Sequence, residues 1–544
     1  MVGSASQVVK SIKPFEKIVG FKLMCDSKAT GKAKITIMAS CGIHSAVETV
    51  YIDVKNPHSP VVAVEHKVLN RGSETFSWNS DQDASISLET SSMPSVNFSG
   101  ILSFVQNYSH YCTEQLSSRA MFLLYGRKFL SNSEQAKAED SIREILKVLS
   151  TRQMSNGGFR YWDTYTEPHL WATSMAGEVM IEAKNQGFAV HGDVLDKWIK
   201  FQTAQAKSYT HTTDRGADQQ QAYRLYSLVL AGQEPTAAMN RLKEAKSISS
   251  QAKYRLAAAY KLAGKDAVAD LVMDKEAIEV EGDYRTFWSR LRDEAMKLET
   301  LVLLGRIDLA MPLAKELAGN YSHAGYVTQE VAFVSSAFSR LSDAVGDKLC
   351  DVTVSYADKE IEIKEASGIE NMNIPVEAGK VMVKNKSGKP IYLSLTNVRQ
   401  PSSDEIVPAV ASGVSMSVSY SDINGKPVDV KEMTQGTEFY AEFKVRKKEE
   451  LDSESMALTF AIPSGWEVLN DRIHGVNEQG CKMDIRDDRV CMYFRLNSIE
   501  SKSFKVRLRA AYEGEYIFPA TVLEDMYRAA CRATTSSSSV KAVK

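Results

Sequence analysis

The sequence has no long apolar run, almost no net charge and no cluster of metal-binding residues. None of its apolar segments approaches the roughly 20 residues that a transmembrane helix requires. The 66 Lys and Arg residues nearly balance the 68 Asp and Glu residues, so the net charge is -2 and nothing favours nucleic acid as a partner. The nine histidines form no metal-ligand pattern, and neither a phosphate loop nor a nucleophile elbow is present. We therefore expect no cofactor and no bound metal.

The N-terminal residues 1–17 contain no apolar core of the kind that a signal peptide has. Strand-like sequence begins almost at once, so we expect this chain to be a fragment of a longer protein. Its 544 residues suffice for three or four domains of about 150 residues. An apolar content of 44% and a charged content of 25% are typical of globular proteins.

The number of cysteines is odd, which leaves one of them without a disulfide partner. The seven are Cys25, Cys41, Cys112, Cys350, Cys481, Cys491 and Cys531. If Cys112 is the unpaired one, Cys481 and Cys491 flank a predicted hairpin turn near Arg486, where a bridge could close. Pairing Cys25 with Cys41 and Cys350 with Cys531 then follows only by elimination, and six reduced thiols are an equal alternative. Bridges would indicate an oxidising compartment such as a periplasm.

The pattern of apolar residues changes twice along the chain. Residues 15–92 alternate apolar and polar side chains as strands do, and the alternation returns from 350 to the end. Between them, residues 99–345 show Ala and Leu at helical spacing, with short loops that favour antiparallel helical hairpins. We expect the helical region to be inserted into one β-sandwich with halves at roughly 60–98 and 346–400. The closing serine-rich run is expected to fray.

A cysteine and a glutamine three residues apart, Cys112 and Gln115, stand at the predicted start of a helix in the run YCTEQ. At this spacing the two side chains can lie side by side, so the thiol can displace ammonia from the carboxamide and form a thioester. A lysine amine that attacks this acyl group becomes covalently linked, and a thiolate leaves. The pattern alone also fits a cysteine that merely packs in the core. Glu114 is interpreted as a charge at the helix start.

The surrounding segments resemble the C-terminal part of bacterial alpha-2-macroglobulins, relatives of complement C3. The matching runs, in chain order, are SWNSDQDASISLETSSMPSV, YCTEQLSSRA, MSNGGFRYWDTYTEPHLWATSMAGEVMIEAKNQGF, SYSDINGKPVD, FAIPSGWEVLN, MDIRDDRVCMYFRL and FPATVLEDMYRAACRATTSS. The resemblance implies a multidomain α + β protein with an α/α toroid thioester domain inserted in a CUB-like β-sandwich, flanked by macroglobulin-type β-sandwich domains. The implied segments are a partial macroglobulin-like β segment at 1–60, the CUB-like halves at 61–98 and 346–400, the toroid at 99–345 and a receptor-binding-like β domain at 401–544.

The resemblance also implies residues that shield the thioester from water. Tyr108, four residues before the cysteine, matches a family tyrosine, and Met526 with Tyr527 matches a terminal Met-Tyr pair. His110 replaces the second family tyrosine, which puts part of this lock in doubt or makes it sensitive to protonation. Each tyrosine could instead be an ordinary core or interface aromatic.

A downstream histidine activates the thioester in complement relatives, and His211 lies at about the right separation. Its surroundings do not match the family pattern, and a polar loop histidine is usually just solvated, so direct attack by lysine is expected. His169 is interpreted as a hairpin residue. Phe159, Tyr161 and Trp162, in the GGFRYW run, are interpreted as core aromatics at a turn that connects helices.

Two functions from different classes follow. The leading one is a broad-spectrum protease inhibitor, not an enzyme, that traps proteases through their lysines; the bait region that triggers it would lie upstream of this chain. The alternative is a toroid-fold polysaccharide lyase or hydrolase, and a structural module with a lapsed thioester is a third reading. For the inhibitor we expect a monomer in the bacterial periplasm, cell envelope or exterior with a role in defence. A membrane anchor could enter only through the missing N-terminus.

Overall fold

The computed structural model describes most of the chain. The described residues are 4–10, 19–21, 23–24, 29–56, 58, 60–80, 84–94, 96–108, 110–211, 216–280, 283–323, 326–345, 351–364, 369–402, 405–448, 453–469, 480–497 and 500–544. Cys25 and Cys350 lie outside these ranges, and so do the two pairings proposed for them. Among the described residues, no helix is both long enough and apolar enough to cross a membrane.

The first described strands form an isolated hairpin. β1 (Gly31–Cys41) and β2 (His44–Val54) pair antiparallel from end to end. Most of their side chains are exposed, including the apolar side chain of Met38, and so is Ile43 in the turn between them.

Strands from before and after the helical region interleave in two facing sheets. The first sheet has the order β3-β10-β5-β8, and the second has the order β4-β9-β6-β7. The core between them is apolar and includes Leu88, Val354 and Leu393. The strands are β3 (Val61–Leu69), β4 (Gly72–Ser77), β5 (Ala84–Ser91), β6 (Val352–Tyr356), β7 (Lys359–Ile363), β8 (Ile369–Ile374), β9 (Lys380–Asn385) and β10 (Ile391–Arg399).

Twelve helices lie between β5 and β6 in the described residues. They are α1 (Phe98–Asn107), α2 (Thr113–Gly126), α3 (Asn132–Arg152), α4 (Leu170–Asn185), α5 (Gly192–Ser208), α6 (Ala217–Leu230), α7 (Thr236–Glu244), α8 (Ser250–Leu262), α9 (Asp266–Met273), α10 (Arg290–Leu303), α11 (Ile307–His323) and α12 (Thr328–Val345). The even-numbered helices contact one another in order, and α12 contacts α2, so they close a ring. The odd-numbered helices α3 to α11 pack against members of this ring. α4 and α12 bury nearly all of their faces, as helices surrounded by others must.

A buried ionic group lies inside the ring. Glu299 accepts hydrogen bonds from Arg255, Arg340, Ser336 and Tyr226, and it is fully buried. Buried charges persist when they are paired and hydrogen-bonded in this way.

The remaining strands pack around a second β core. They are β11 (Val410–Ser412), β12 (Val414–Asp422), β13 (Glu432–Thr434), β14 (Glu438–Lys447), β15 (Ser453–Ala461), β16 (Trp466–Val468), β17 (Lys482–Ile485), β18 (Arg489–Leu496), β19 (Ser501–Ala510), β20 (Gly514–Phe518), β21 (Val522–Asp525), β22 (Arg528–Thr534) and β23 (Ser538–Val543). The three sheets have the orders β11-β22-β21-β15-β18-β17, β12-β14-β19-β16 and β13-β23-β20. Phe443, Leu458 and Met492 are among the residues that fill the core.

Two sequence-based expectations about this region are wrong. Cys491 lies opposite Asp484 and not opposite Cys481, and no disulfide joins the two cysteines, because the turn connects the paired residues Ile485 and Val490. The closing serine-rich run does not fray. It forms β23, which pairs with both β20 and β13 because alternate apolar side chains along it face the core.

Candidate functional site

The predicted thioester pair lies at the first turn of α2. Cys112 is the N-cap residue of this helix, and its Sγ accepts a hydrogen bond from the Gln115 backbone N–H at 3.4 Å. In return, the Gln115 Oε1 accepts a hydrogen bond from the Cys112 backbone N–H at 3.0 Å. This reciprocal capping box holds the thiol beside the carboxamide. Both side chains are fully buried.

The Gln115 carboxamide nitrogen is covered from two directions. It donates hydrogen bonds to the Tyr108 hydroxyl at 3.2 Å and to the Met526 Sδ at 3.1 Å. Tyr108 follows the last residue of α1, whereas Met526 belongs to the turn that joins β21 to β22. The helical region and the C-terminal β region thus meet at this amide.

Hydrogen bonds from two backbone N–H groups hold the turn of Met526 and Tyr527 in place. The Met526 N–H donates to the Ser455 carbonyl at 3.0 Å, and the Tyr527 N–H donates to the Asp525 carboxylate at 3.0 Å. An Asp side chain that bonds the backbone two residues on stabilises such a turn. The Tyr527 hydroxyl, as a result, lies 4.0 Å from the Cys112 Sγ.

Glu114 has a larger role than a charge at a helix start. It does stand in the first turn of α2, but its side chain is fully buried. The carboxylate accepts hydrogen bonds from Tyr527 at 2.7 Å, Ser118 at 2.5 Å, Gln329 at 2.6 Å and Thr328 at 3.1 Å. Burial raises the pKa of this carboxyl, and the four donors oppose that rise. Ser118 lies one turn further along α2. The local sequence did not indicate the other three partners, which come from α12 and the C-terminal region.

Two of the GGFRYW aromatics border the site. The Trp162 ring packs with Cys112, Met526 and Tyr493, and the Tyr161 hydroxyl lies 2.9 Å from the Tyr527 hydroxyl. Phe159 is a core residue, as expected from the sequence. The reading of Tyr161 and Trp162 as simple core aromatics is therefore incomplete.

Gly157, at the start of the GGFRYW run, must be a glycine for a steric reason. Gly157 has a φ of 93°, and a Cβ at this position would lie 2.2 Å from the Lys197 carbonyl oxygen. Only glycine fits such a left-handed, close approach of two backbones.

His110 is buried within this group of residues. Its Nδ1 lies 3.1 Å from the Tyr493 hydroxyl, and its Nε2 lies 3.0 Å from a Glu524 carboxylate oxygen. Its ring stands edge-on to Tyr108, with the ring centroids 5.2 Å apart. The histidine that replaces the family tyrosine therefore joins the helical region to β18 and β21 by polar contacts.

The environment of Cys112 disfavours a thiolate. Burial raises the pKa of the thiol to about 12, and the nearby Glu114 carboxylate adds to the rise. A free Cys112 under this cover would therefore stay protonated and unreactive.

The two other histidines singled out from the sequence differ in position. His211 is exposed, three residues beyond the end of α5, and has no contact with the site among the described residues. His169 is the N-cap residue of α4, where its Nδ1 accepts from the Ala172 N–H at 3.3 Å. Burial lowers the pKa of His169 to about 4, so its ring is neutral at pH 7.

A cavity of 470 Å³ lies elsewhere, between α2, α3, α4 and α12. Its charged groups are largely engaged with one another, as in the pairs Arg127–Glu139 and Lys128–Asp343. It therefore offers no free pair of carboxylates and does not favour the lyase or hydrolase hypothesis.

The chain is similar to known proteins along nearly its whole length. Residues 413–529 match the family model of the bacterial alpha-2-macroglobulin MG10 domain. The alpha-2-macroglobulin homolog of Yersinia pestis is 23% identical over 97% of this chain and 29% of its own length. The alpha-2-macroglobulin of Rickettsia conorii is 23% identical over 82% of this chain and 24% of its own length. The chain thus spans less than a third of either relative.

Solved structures share the fold. The native alpha-2-macroglobulin of Escherichia coli, from domain MG7 to the C-terminus, matches with a TM-score of 0.78 at 17% identity over 94% of this chain and 87% of that one. Salmonella alpha-2-macroglobulin reacted with methylamine matches with a TM-score of 0.79 at 18% identity over 95% of this chain and 36% of that one. Together with the sequence matches, these structures confirm the predicted resemblance.

Proposed function

We propose, from the confirmed resemblance of this chain to the C-terminal region of bacterial alpha-2-macroglobulins, that it is the reactive part of a protease trap. Cys112 and Gln115 form a thioester that captures a protease through a lysine amine. Each molecule reacts once, so the protein is an inhibitor and not an enzyme. The observation that carries the proposal is the buried Cys112–Gln115 capping box under the Met526–Tyr527 turn.

The geometry suits the formation of the bond. The Cys112 Sγ attacks the Gln115 Cδ, and the Nε2 leaves as ammonia. The Cys112 backbone N–H, 3.0 Å from the Gln115 Oε1, can stabilise the negative charge that develops on this oxygen. In capture the roles are exchanged, because a lysine nitrogen attacks Cδ and the sulfur leaves.

The cover suits a bond that must survive in water. Exclusion of water by Met526 and the aromatic rings of Tyr108, Trp162 and Tyr527 slows hydrolysis in the resting state. Capture then requires movement of the Met526–Tyr527 turn away from α2.

The wider assignments rest on the same resemblance. The closed ring of even-numbered helices fits an α/α toroid, and the two facing sheets that flank it in sequence fit a CUB-like sandwich. Proteases are the proposed partners, and a monomer in the periplasm or cell envelope is the proposed state. The reaction of the Salmonella protein with methylamine supports the choice of an amine as nucleophile.

Mass spectrometry tests the proposal directly. The natively purified protein should weigh one ammonia less than its sequence, and methylamine should add one methylamine and release one free thiol on Cys112. The variant Cys112→Ala should show the full sequence mass and no reaction. A wild-type protein with the full mass and no methylamine adduct would refute the thioester.

A further inference from the structure

The side chain of Tyr527 occupies a pocket of the helical region whose walls are aromatic and whose end is a carboxylate. Its ring lies against Phe287, with the centroids 4.7 Å apart, and its hydroxyl is 2.9 Å from the Tyr161 hydroxyl. The same hydroxyl donates to the Glu114 carboxylate at 2.7 Å. Tyr161 and Phe287 stack with their centroids 5.7 Å apart and continue the wall. We call this pocket, formed by Glu114, Tyr161 and Phe287, the Tyr527 pocket.

The backbone of Phe287 is strained in a way that aims its ring at this pocket. Its φ is 50°, a value that bulky residues rarely adopt. The residues on either side are tied down, because the backbone N–H groups of Thr286 and Trp288 both donate to the Asp283 carbonyl. Arg292 also donates to the Thr286 carbonyl. Strain that the surroundings enforce so firmly is typical of functional sites.

We propose that the Tyr527 pocket is the binding site for the ammonium group of the target lysine, which Tyr527 fills until the trap opens. This inference rests on the proposed function and names the site that receives its substrate. Aromatic faces attract a cation, and a carboxylate binds it by a charged hydrogen bond, so the two together select a primary ammonium. The His169 ring, which also stacks on Phe287, is neutral at pH 7 and does not repel it.

The position of the pocket next to the reactive bond gives Glu114 a chemical role. The Tyr527 hydroxyl bonds Glu114 while lying 4.0 Å from the Cys112 Sγ, so an ammonium in its place would also be near the acyl group. The Glu114 carboxylate accepts a proton from the ammonium, and the neutral nitrogen attacks the Gln115 Cδ. The carbon–sulfur bond breaks with its electron pair on Sγ, which receives the first proton from Glu114. The nitrogen, now bonded to Cδ, passes its second proton to the regenerated Glu114 carboxylate. The products are an amide on Gln115 and a thiol on Cys112.

The test compares two nucleophiles in a chain whose pocket has been emptied. In the variant Tyr527→Ala, the release of the Cys112 thiol is timed with methylamine, a cation at neutral pH, and with hydroxylamine, which is uncharged. Adding Glu114→Gln should slow methylamine by roughly 100-fold, since a general base is lost. Adding Phe287→Leu should slow it by roughly fivefold, since one aromatic wall is lost. Both should slow hydroxylamine much less.

A matched control separates this role from general damage to α2. Ser117→Ala removes a buried hydrogen bond inside α2, to the Thr113 carbonyl, and should leave the ratio of the two rates unchanged. Equal slowing of both nucleophiles by Glu114→Gln and Phe287→Leu, or no slowing at all, would overturn the inference. The mass of each variant reports first whether its thioester has formed. If Glu114→Gln does not form the thioester, the ratio of the two rates in Phe287→Leu tests the inference alone. Absence of the thioester from the wild type would refute the proposed function and not this inference.

Discussion

The Gln115 carboxamide nitrogen lies 3.1 Å from the Met526 Sδ, although 411 positions separate the two residues in the chain. Gln115 belongs to the ring of helices, whereas Met526 belongs to a turn of the C-terminal β region. The proposed reactive bond is therefore closed off only while these two regions are docked. Any change that loosens the docking should appear as faster reaction at Cys112.

Truncation of Met526 gives the simplest measure of this cover. Met526→Ala should increase the rate at which methylamine releases the Cys112 thiol at least roughly tenfold, because water and small amines gain access; this corresponds to about 1.4 kcal/mol of lost barrier. A thiol-reactive dye follows the release. Met433→Ala is the control, since Met433 has the same 6% exposure but lies in β13. Equal rates in the two variants would show that Met526 does not shield the bond.

The glycine before the aromatic segment should be needed for the site. Gly157→Ala places a Cβ against the Lys197 carbonyl and should displace Tyr161 and Trp162, so that less thioester survives purification. Gly187→Ala is the comparison, because Gly187 also has a left-handed φ, of 84°, but a Cβ there would have open space around it. The fraction of protein that lacks ammonia in its mass spectrum should fall only in the first variant. A similar loss in both would attribute the effect to φ strain alone.

The buried Glu299 should be essential to the ring of helices. Glu299→Ala leaves Arg255 and Arg340 without their shared partner, and this should cost about 3–5 kcal/mol. The helical transition in urea, followed by circular dichroism, reports the loss. Glu139→Ala, which breaks one partly buried pair with Arg127 and one exposed pair with Arg143, should cost less than Glu299→Ala, about 1 kcal/mol. A mild effect at Glu299 would contradict the ionic role given to it.

The buried carboxyl of Glu89 should make the stability of the protein depend on pH. Burial raises the pKa of this carboxyl to about 7, and its Oε1 has no hydrogen-bond partner. The folded state thus binds the proton more tightly than the unfolded state, so stability is present at low pH and falls as pH rises from about 4.5 to about 7. Glu89→Gln should flatten this dependence and unfold at higher urea than the wild type at alkaline pH. The exposed Glu360 offers the control, and Glu360→Gln should keep the wild-type slope.

The local sequence predicted the secondary-structure elements of the site better than it predicted which strands and residues those elements pair with. The helix start at Cys112 and the spacing to Gln115 are short-range features, and a capping box forms from residues three apart. The turn that connects β17 and β18 was misplaced, because register depends on which residues the facing strand offers. The closing strand β23 was missed because its apolar residues are few, and pairing on both sides stabilises it.

The amino-acid sequence by itself determined the order β, α, β along the chain and the position of Cys112 and Gln115 at a helix start. The family resemblance pointed to Tyr108, Met526 and Tyr527, whose side chains lie against this pair. Only the tertiary structure decided that Glu114 is buried, that Phe287 is strained and that both contact Tyr527. The reason is physical. A helix cap or an alternating strand is stabilised by neighbours within a few residues, whereas a pocket between two regions exists only after each has folded and docked.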